Sequence, residues 1–157
     1  GRTVEYIPAC DQFGGGSNDR CFGEAWNGQG YMHCHYHATW DNARAVCQAR
    51  GMDLADMNSA AEHDAVIAAF NQQDGESWDD LWIGGRESSE TRHFTWVRSG
   101  IEFWRNGTTG AYARWNGSEP SNDSGGGSND CVSVYQRNST NWNDRSCGGS
   151  IEFICEW

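Results

Sequence analysis

Two short segments concentrate oxygen donors in a way that core segments do not: Glu119-Pro120-Ser121 and Trp142-Asn143-Asp144. Calcium takes about six to eight oxygens from carboxylates, amide carbonyls, backbone carbonyls and water. Glu119, Asn143 and Asp144 can supply such oxygens, and Asn129 and the Ser121 hydroxyl extend the set. A cis bond before Pro120 would turn its flanking side chains to one side, as convergence on an ion requires. The same residue types also form turns and cap their own backbone in Gly-rich segments, so residue type alone leaves both readings standing. A second cluster is His33-Cys34-His35-Tyr36-His37, whose types can ligate zinc. On a strand the three histidines share one face and Cys34 faces away, so all four do not converge on a single ion. No nucleophile–base pair sits at a recognisable elbow, and the histidines lie far in sequence from the oxygen-rich segments, which points to binding rather than catalysis.

These residues need elements to position them. Thr39 can cap a helix whose face carries Trp40, Ala43 and Cys47, with Gly51 as its stop. Ser59-Ala60-Ala61-Glu62 is a capping box, followed by an apolar stripe of Val66, Ile67 and Phe70 that predicts a helix to about Asn71. Beyond residue 80 the pattern changes to short strands: Leu81-Trp82-Ile83 closed by Gly84-Gly85, then Phe94-Thr95-Trp96-Val97 with period two. Further strands are read at Cys131–Tyr135 and Ile151–Cys155. Residues 104 to 130 are Gly-rich and aperiodic, and a structureless stretch of that length inside a compact domain is usually functional or disordered. Two early helices and a strand-rich second half predict an α+β fold. Gly14-Gly15-Gly16-Ser17-Asn18-Asp19 reads as a turn in a small disulfide loop between Cys10 and Cys21. Its six letters recur at 125–130 without flanking similarity, so no repeat architecture follows.

The whole chain sets limits on these readings. At 157 residues it is read as one domain, 1–157, large enough for a real core. A net charge of -11 disfavours nucleic-acid partners and suits a soluble protein or one that meets cations. Nine Trp and 13% aromatic content rule out a disordered chain. No apolar run is long enough for a membrane helix. Seven Cys point to an oxidising, extracellular compartment, and the polar start reads as a mature, processed chain. The odd count leaves one cysteine for another chain or a free thiol, with connectivity open.

Taken in order, several of these motifs resemble those of C-type lectin-like domains over nearly the whole length. They are Cys10 and Cys21, the helix ending in Cys47, Trp82-Ile83-Gly84-Gly85, Phe94-Thr95-Trp96, Glu119-Pro120-Ser121, Asn129-Asp130-Cys131, Trp142-Asn143-Asp144, Cys147 and Phe153-Ile154-Cys155-Glu156. The resemblance implies a single carbohydrate-recognition domain of the long form, with an N-terminal hairpin, two helices, two small antiparallel sheets and a long calcium-binding loop. It implies the disulfides Cys10–Cys21, Cys47–Cys155 and Cys131–Cys147. Cys34 is then left over, read first as an inter-chain bridge giving a homodimer and avidity, with a free thiol and a zinc ligand as rivals.

The resemblance also implies a secreted, calcium-dependent lectin. Two vicinal sugar hydroxyls would complete the coordination of a shared calcium, Glu119 accepting a hydroxyl proton, Asn143 donating its amide and Asp144 holding the ion. This chain departs from the family pattern at Ser121, usually Asn or Asp, and at Asn129, usually Glu. The Gly-rich 124–128 insertion resembles galactose-type members, so galactose-containing glycans are the expected ligand, with mannose or fucose the alternative favoured by Glu119. Tyr112 or Trp104 would stack on the sugar and Arg145 would contact it, while Trp115 and Trp142 belong to the core. A second calcium position is represented by Glu87 and Asp130, with Thr91 replacing another acidic ligand. Four glycosylation sequons start at Asn106, Asn116, Asn122 and Asn138, and a glycan on Asn122 would crowd the site. The competing class on the same fold is an ice-, mineral- or protein-binding module that has lost sugar binding.

Overall fold

The computed structural model describes residues 5–7, 21–71, 80–87, 92–105, 107–117, 119–121, 130–135 and 140–157. Cys10, Thr91, Asn129, the 124–128 insertion and the sequon residues Asn106, Asn122 and Asn138 lie outside them.

The element order is β1 (Glu5–Ile7), β2 (Cys21–Trp26), β3 (Gln29–Ala38), α1 (Trp40–Ala49), β4 (Asp53–Leu54), α2 (Ala60–Asn71), β5 (Leu81–Glu87), β6 (His93–Trp96), β7 (Glu102–Arg105), β8 (Thr108–Thr109), β9 (Asp130–Val134), β10 (Trp142–Ser146) and β11 (Ile151–Glu156). This is the α+β architecture that the sequence predicts. One antiparallel group runs β1-β2-β3-β11 and a second includes β5-β6-β7-β8. They are joined by a short parallel pairing of β11 with β5, Glu152 opposite Leu81 and Phe153 opposite Trp82. Strand β9 pairs with both β5 and β10, and so carries the oxygen-rich segment of β10 onto the sheet.

Both helices start where their caps predict. The Thr39 side chain accepts from the Asn42 amide, and Trp40, Ala43, Val46 and Cys47 are the buried face of α1. In α2 the Ser59 hydroxyl accepts from the Glu62 amide at 3.1 Å. The return half of the capping box is displaced by one residue: Glu62 accepts from the Asn58 amide rather than that of Ser59. Strand β5 runs through Gly84-Gly85 instead of stopping there. A Cβ on Gly84 would lie 2.6 Å from the Leu54 carbonyl oxygen, and one on Gly85 would lie 2.6 Å from Val132 Cγ2, so glycine permits the sheet to close on β4 and β9.

The core is aromatic. Trp40, Trp82, Trp96 and Trp142 are fully buried, and the indole N–H groups of Trp40 and Trp82 donate to the Ile83 and Ala38 carbonyls, both at 3.0 Å. Trp96 stacks on Phe103 with centroids 4.1 Å apart and meets Trp142 edge-on at 5.3 Å. Such rings contribute most of a core's buried apolar area.

Cys47–Cys155 and Cys131–Cys147 are disulfide-bonded. The third described bridge is Cys21–Cys34, which corrects two expectations at once. Cys34 is not the link to a second chain, and Cys21 is bonded to it rather than to Cys10. The reason is register: in the β2–β3 hairpin Cys21 lies directly opposite Cys34, so their side chains meet across the ladder.

Candidate functional site

The long segment before β9 is held from beneath. The Trp142 amide donates to the Arg114 carbonyl at 2.7 Å, and the Asn116 amide donates to the Trp142 carbonyl at 2.8 Å. Half-buried Trp115 packs edge-on against Trp142 and Phe94. The Arg114 guanidinium donates to Asn141 Oδ1 at 3.0 Å, to Asp64 Oδ1 of α2 at 2.8 Å and to the Tyr112 hydroxyl at 3.3 Å. The loop is thus pinned to β10 and α2 before it reaches Glu119.

Around Glu119 the backbone folds back toward β10. The Glu119–Pro120 bond is cis, and the Glu119 amide donates to the Asn116 carbonyl at 2.7 Å. The Ser121 amide donates to Asp144 Oδ1 at 2.8 Å, and Arg92 Nη1 donates to the Pro120 carbonyl at 2.8 Å. Asp144 is 1% exposed and Asn143 4%. The structure therefore brings Ser121 and Asp144 together, with Glu119 two residues from the former and Asn143 adjacent to the latter.

Asn143 carries the informative anomaly. Its side-chain carbonyl oxygen is buried and has no hydrogen-bond partner among the described residues. An acceptor left open in a dry position costs about 1–3 kcal/mol. It lies beside the buried Asp144 carboxylate, and Glu119 stands two residues before the Ser121 that Asp144 holds; these are all oxygen donors, the type that a hard divalent cation such as calcium takes. Beneath the loop, burial pushes the His63 imidazole down to about 4, and Arg114 adds repulsion. It is neutral at pH 7 and places no competing positive charge there.

The other expected residues are packed or hydrogen-bonded within the chain. Arg145 is engaged away from its neighbour Asp144: it donates to Asp80 Oδ2 at 3.1 Å and lies over the Trp82 ring. Tyr112 sits edge-on against Trp142, and Trp104 edge-on against Trp115. Glu87 is buried and accepts from the backbone amides of Asp130 and Arg92, so it closes the turn between β5 and β6 and ties it to β9.

Two further clusters were not legible as such. Asp56, Glu62 and Glu156 are buried with oxygens within 4.8 Å of one another. Their partners are Tyr31, Asn58, Arg98 and the Asp56 amide. Burial, then a hydrogen bond with Asp56, pushes Glu156 up to about 9. Burial, then the bond to Glu62, raises the Tyr31 phenol. The second cluster joins His33 and His35 to Glu152. The histidines were visible in the sequence, but Glu152 was missed, because only the pairing of β11 with β3 brings it there.

Residues 36–157 match the family model for the Lectin C-type domain. Ladderlectin of Oncorhynchus mykiss is 29% identical over 121 residues, which are 77% of this chain and 58% of that protein. Salivary C-type lectin 2 of Aedes albopictus is 29% identical over 125 residues, 76% of this chain and 77% of the relative. Among solved structures, the C-type lectin CEL-I of Cucumaria echinata superposes with a TM-score of 0.70 at 23% identity, covering 85% of this chain and 93% of that one, a likeness of fold. The cow C-type carbohydrate-recognition domain of CD23, determined in the presence of a GlcNAc2Man3 oligosaccharide, gives 0.67 at 26% identity, covering 84% and 89%.

Proposed function

The chain belongs to the C-type lectin domain family, whose members are non-enzymatic binding proteins, and from that premise we propose that residues 1–157 form one secreted, calcium-dependent carbohydrate-recognition domain for galactose-containing glycans. The observation that carries this reading is the open, buried carbonyl of Asn143 beside buried Asp144, the carboxylate that also holds the Ser121 amide. Calcium bound there would polarise two vicinal sugar hydroxyls and strengthen every hydrogen bond they make. Glu119 accepts from one hydroxyl. The Asn143 amide donates to a sugar oxygen while its carbonyl faces the cation. Asp144 fixes Ser121, whose hydroxyl is a shorter, single-donor substitute for an amide side chain. Tyr112, half-buried against Trp142, offers the ring on which the apolar face of galactose stacks.

The disulfides support an extracellular setting. A mannose- or fucose-type preference is the second reading, supported by Glu119 and by the mannose-containing oligosaccharide present with the CD23 domain. The test is retention on galactose–agarose in millimolar calcium, with elution by chelator and competition by free galactose and mannose. Retention of the wild-type chain and its loss in Glu119→Ala are expected. Retention of Glu119→Ala to the same extent would exclude this site, and elution by mannose alone would move the specificity to the second reading.

A further inference from the structure

We propose that His33, His35 and Glu152 form a zinc-binding site on the sheet, built from β3 and β11 and independent of the oxygen-rich loop. In the β3–β11 pairing Phe153 opposes Cys34 and Ile154 opposes His33, and the register shifts between Ile151 and Phe153. Glu152 sits at that irregularity and reaches both imidazoles. Its Oε1 lies 3.0 Å from His33 Nε2 and 3.4 Å from His35 Nδ1. The three ligand atoms all lie within 4.8 Å of one another.

Those separations suit zinc. With bonds of about 2.0–2.2 Å to imidazole nitrogen and carboxylate oxygen, tetrahedral ligands stand ~3.3 Å apart. The two rings are 4.1 Å apart, centroid to centroid, and tilted by 35°. Each presents one ring nitrogen toward the same carboxylate oxygen, Nε2 from His33 and Nδ1 from His35. Two His and one carboxylate are an open donor set with a fourth position for water or an external ligand.

The surroundings are largely buried and aromatic. His33 is fully buried, and Phe70 of α2 meets it edge-on at 5.3 Å while Phe22 meets His35 at 5.5 Å. A divalent cation accepts all three lone pairs at once. Cys34, on the opposite face and bonded to Cys21, takes no part, and His37 on the same strand is exposed.

The test is zinc chloride titrated into the chelator-stripped full chain in excess calcium, with bound zinc measured by equilibrium dialysis. One zinc per chain is expected in the wild type, with affinity falling about ten-fold or more in both His35→Ala and Glu152→Gln. Cobalt at the same site should give the intense visible bands of a four-coordinate ion. Absence of zinc uptake, or uptake unchanged in both variants, would overturn the site and leave His33–Glu152 an ion pair only. Should His35→Ala fail to fold, Glu152→Gln keeps the side-chain shape and still decides.

Discussion

The loop around Glu119 and Asp144 and the buried trio of Asp56, Glu62 and Glu156 both gather carboxylates, and they differ in who answers them. In the trio every carboxylate oxygen has a partner from the chain itself: the Tyr31 hydroxyl, the Asn58 amides, the Asp56 amide or the Arg98 guanidinium. At the loop, Asp144 holds Ser121, but the neighbouring Asn143 carbonyl is buried and open. A cluster whose oxygens are all satisfied ties elements together, here α2 to the last strand. A cluster that leaves an acceptor open in a dry position has a place for a partner from outside, here the calcium proposed above.

The contrast can be broken most forcefully at the loop. Asp144→Ala should lower sugar affinity about a hundred-fold, equivalent to roughly 3 kcal/mol, because a carboxylate that orders Ser121 is removed. Galactose titration by calorimetry in calcium reads this directly, and unchanged affinity would show that the loop does not bind as proposed. At the trio, sugar binding should not move but stability should. Glu156 titrates at about 9 in the fold against 4.5 in the unfolded chain. The native state therefore keeps a proton that the unfolded chain loses, and stability falls as pH rises from about 4.5 to 9. Asp56, Glu62, Tyr31 and Arg98 are the titratable groups facing it. Glu156→Gln should flatten that slope and stabilise the protein at pH 8 by on the order of 2 kcal/mol. Parallel urea-unfolding curves for both proteins across that range would contradict the assignment. The smallest effect belongs to the cap that delivers Glu62 to the trio: Ser59→Ala should cost about 1 kcal/mol, seen as a lowered calorimetric midpoint with sugar retention intact.

What could be read in advance was local. Thr39 and Ser59 announce their helices because a cap is a contact between residues three apart, and the stripes behind them show which face is buried. The order of Glu119-Pro120-Ser121 and Trp142-Asn143-Asp144 likewise survives in one dimension. Pairing across strands does not. Cys21 meets Cys34 because of a hairpin register, and a slip of one residue would have turned one of them to the other face. Glu152 reaches His33 and His35 because β11 shifts register beside β3. The Gly84-Gly85 pair shows the same limit. Its type suggested a turn, but the pair lies within a strand, and it is glycine there because the Leu54 carbonyl and Val132 approach too closely for any side chain.

Strand β11 lies between β3 and β5 and also takes β4, and its Cys155 bonds Cys47 across 108 residues. The seam between the two antiparallel groups is therefore the last part of this domain to be synthesised. While a ribosome is still adding residues, the Cys21–Cys34 hairpin can close by itself, but Cys47 must wait as an exposed thiol and α1 has only part of its floor. Unpaired sheet edges in such a half-made chain are prone to association. The domain closes only once β11 is free to pair with β3, β4 and β5 and Cys155 can meet Cys47.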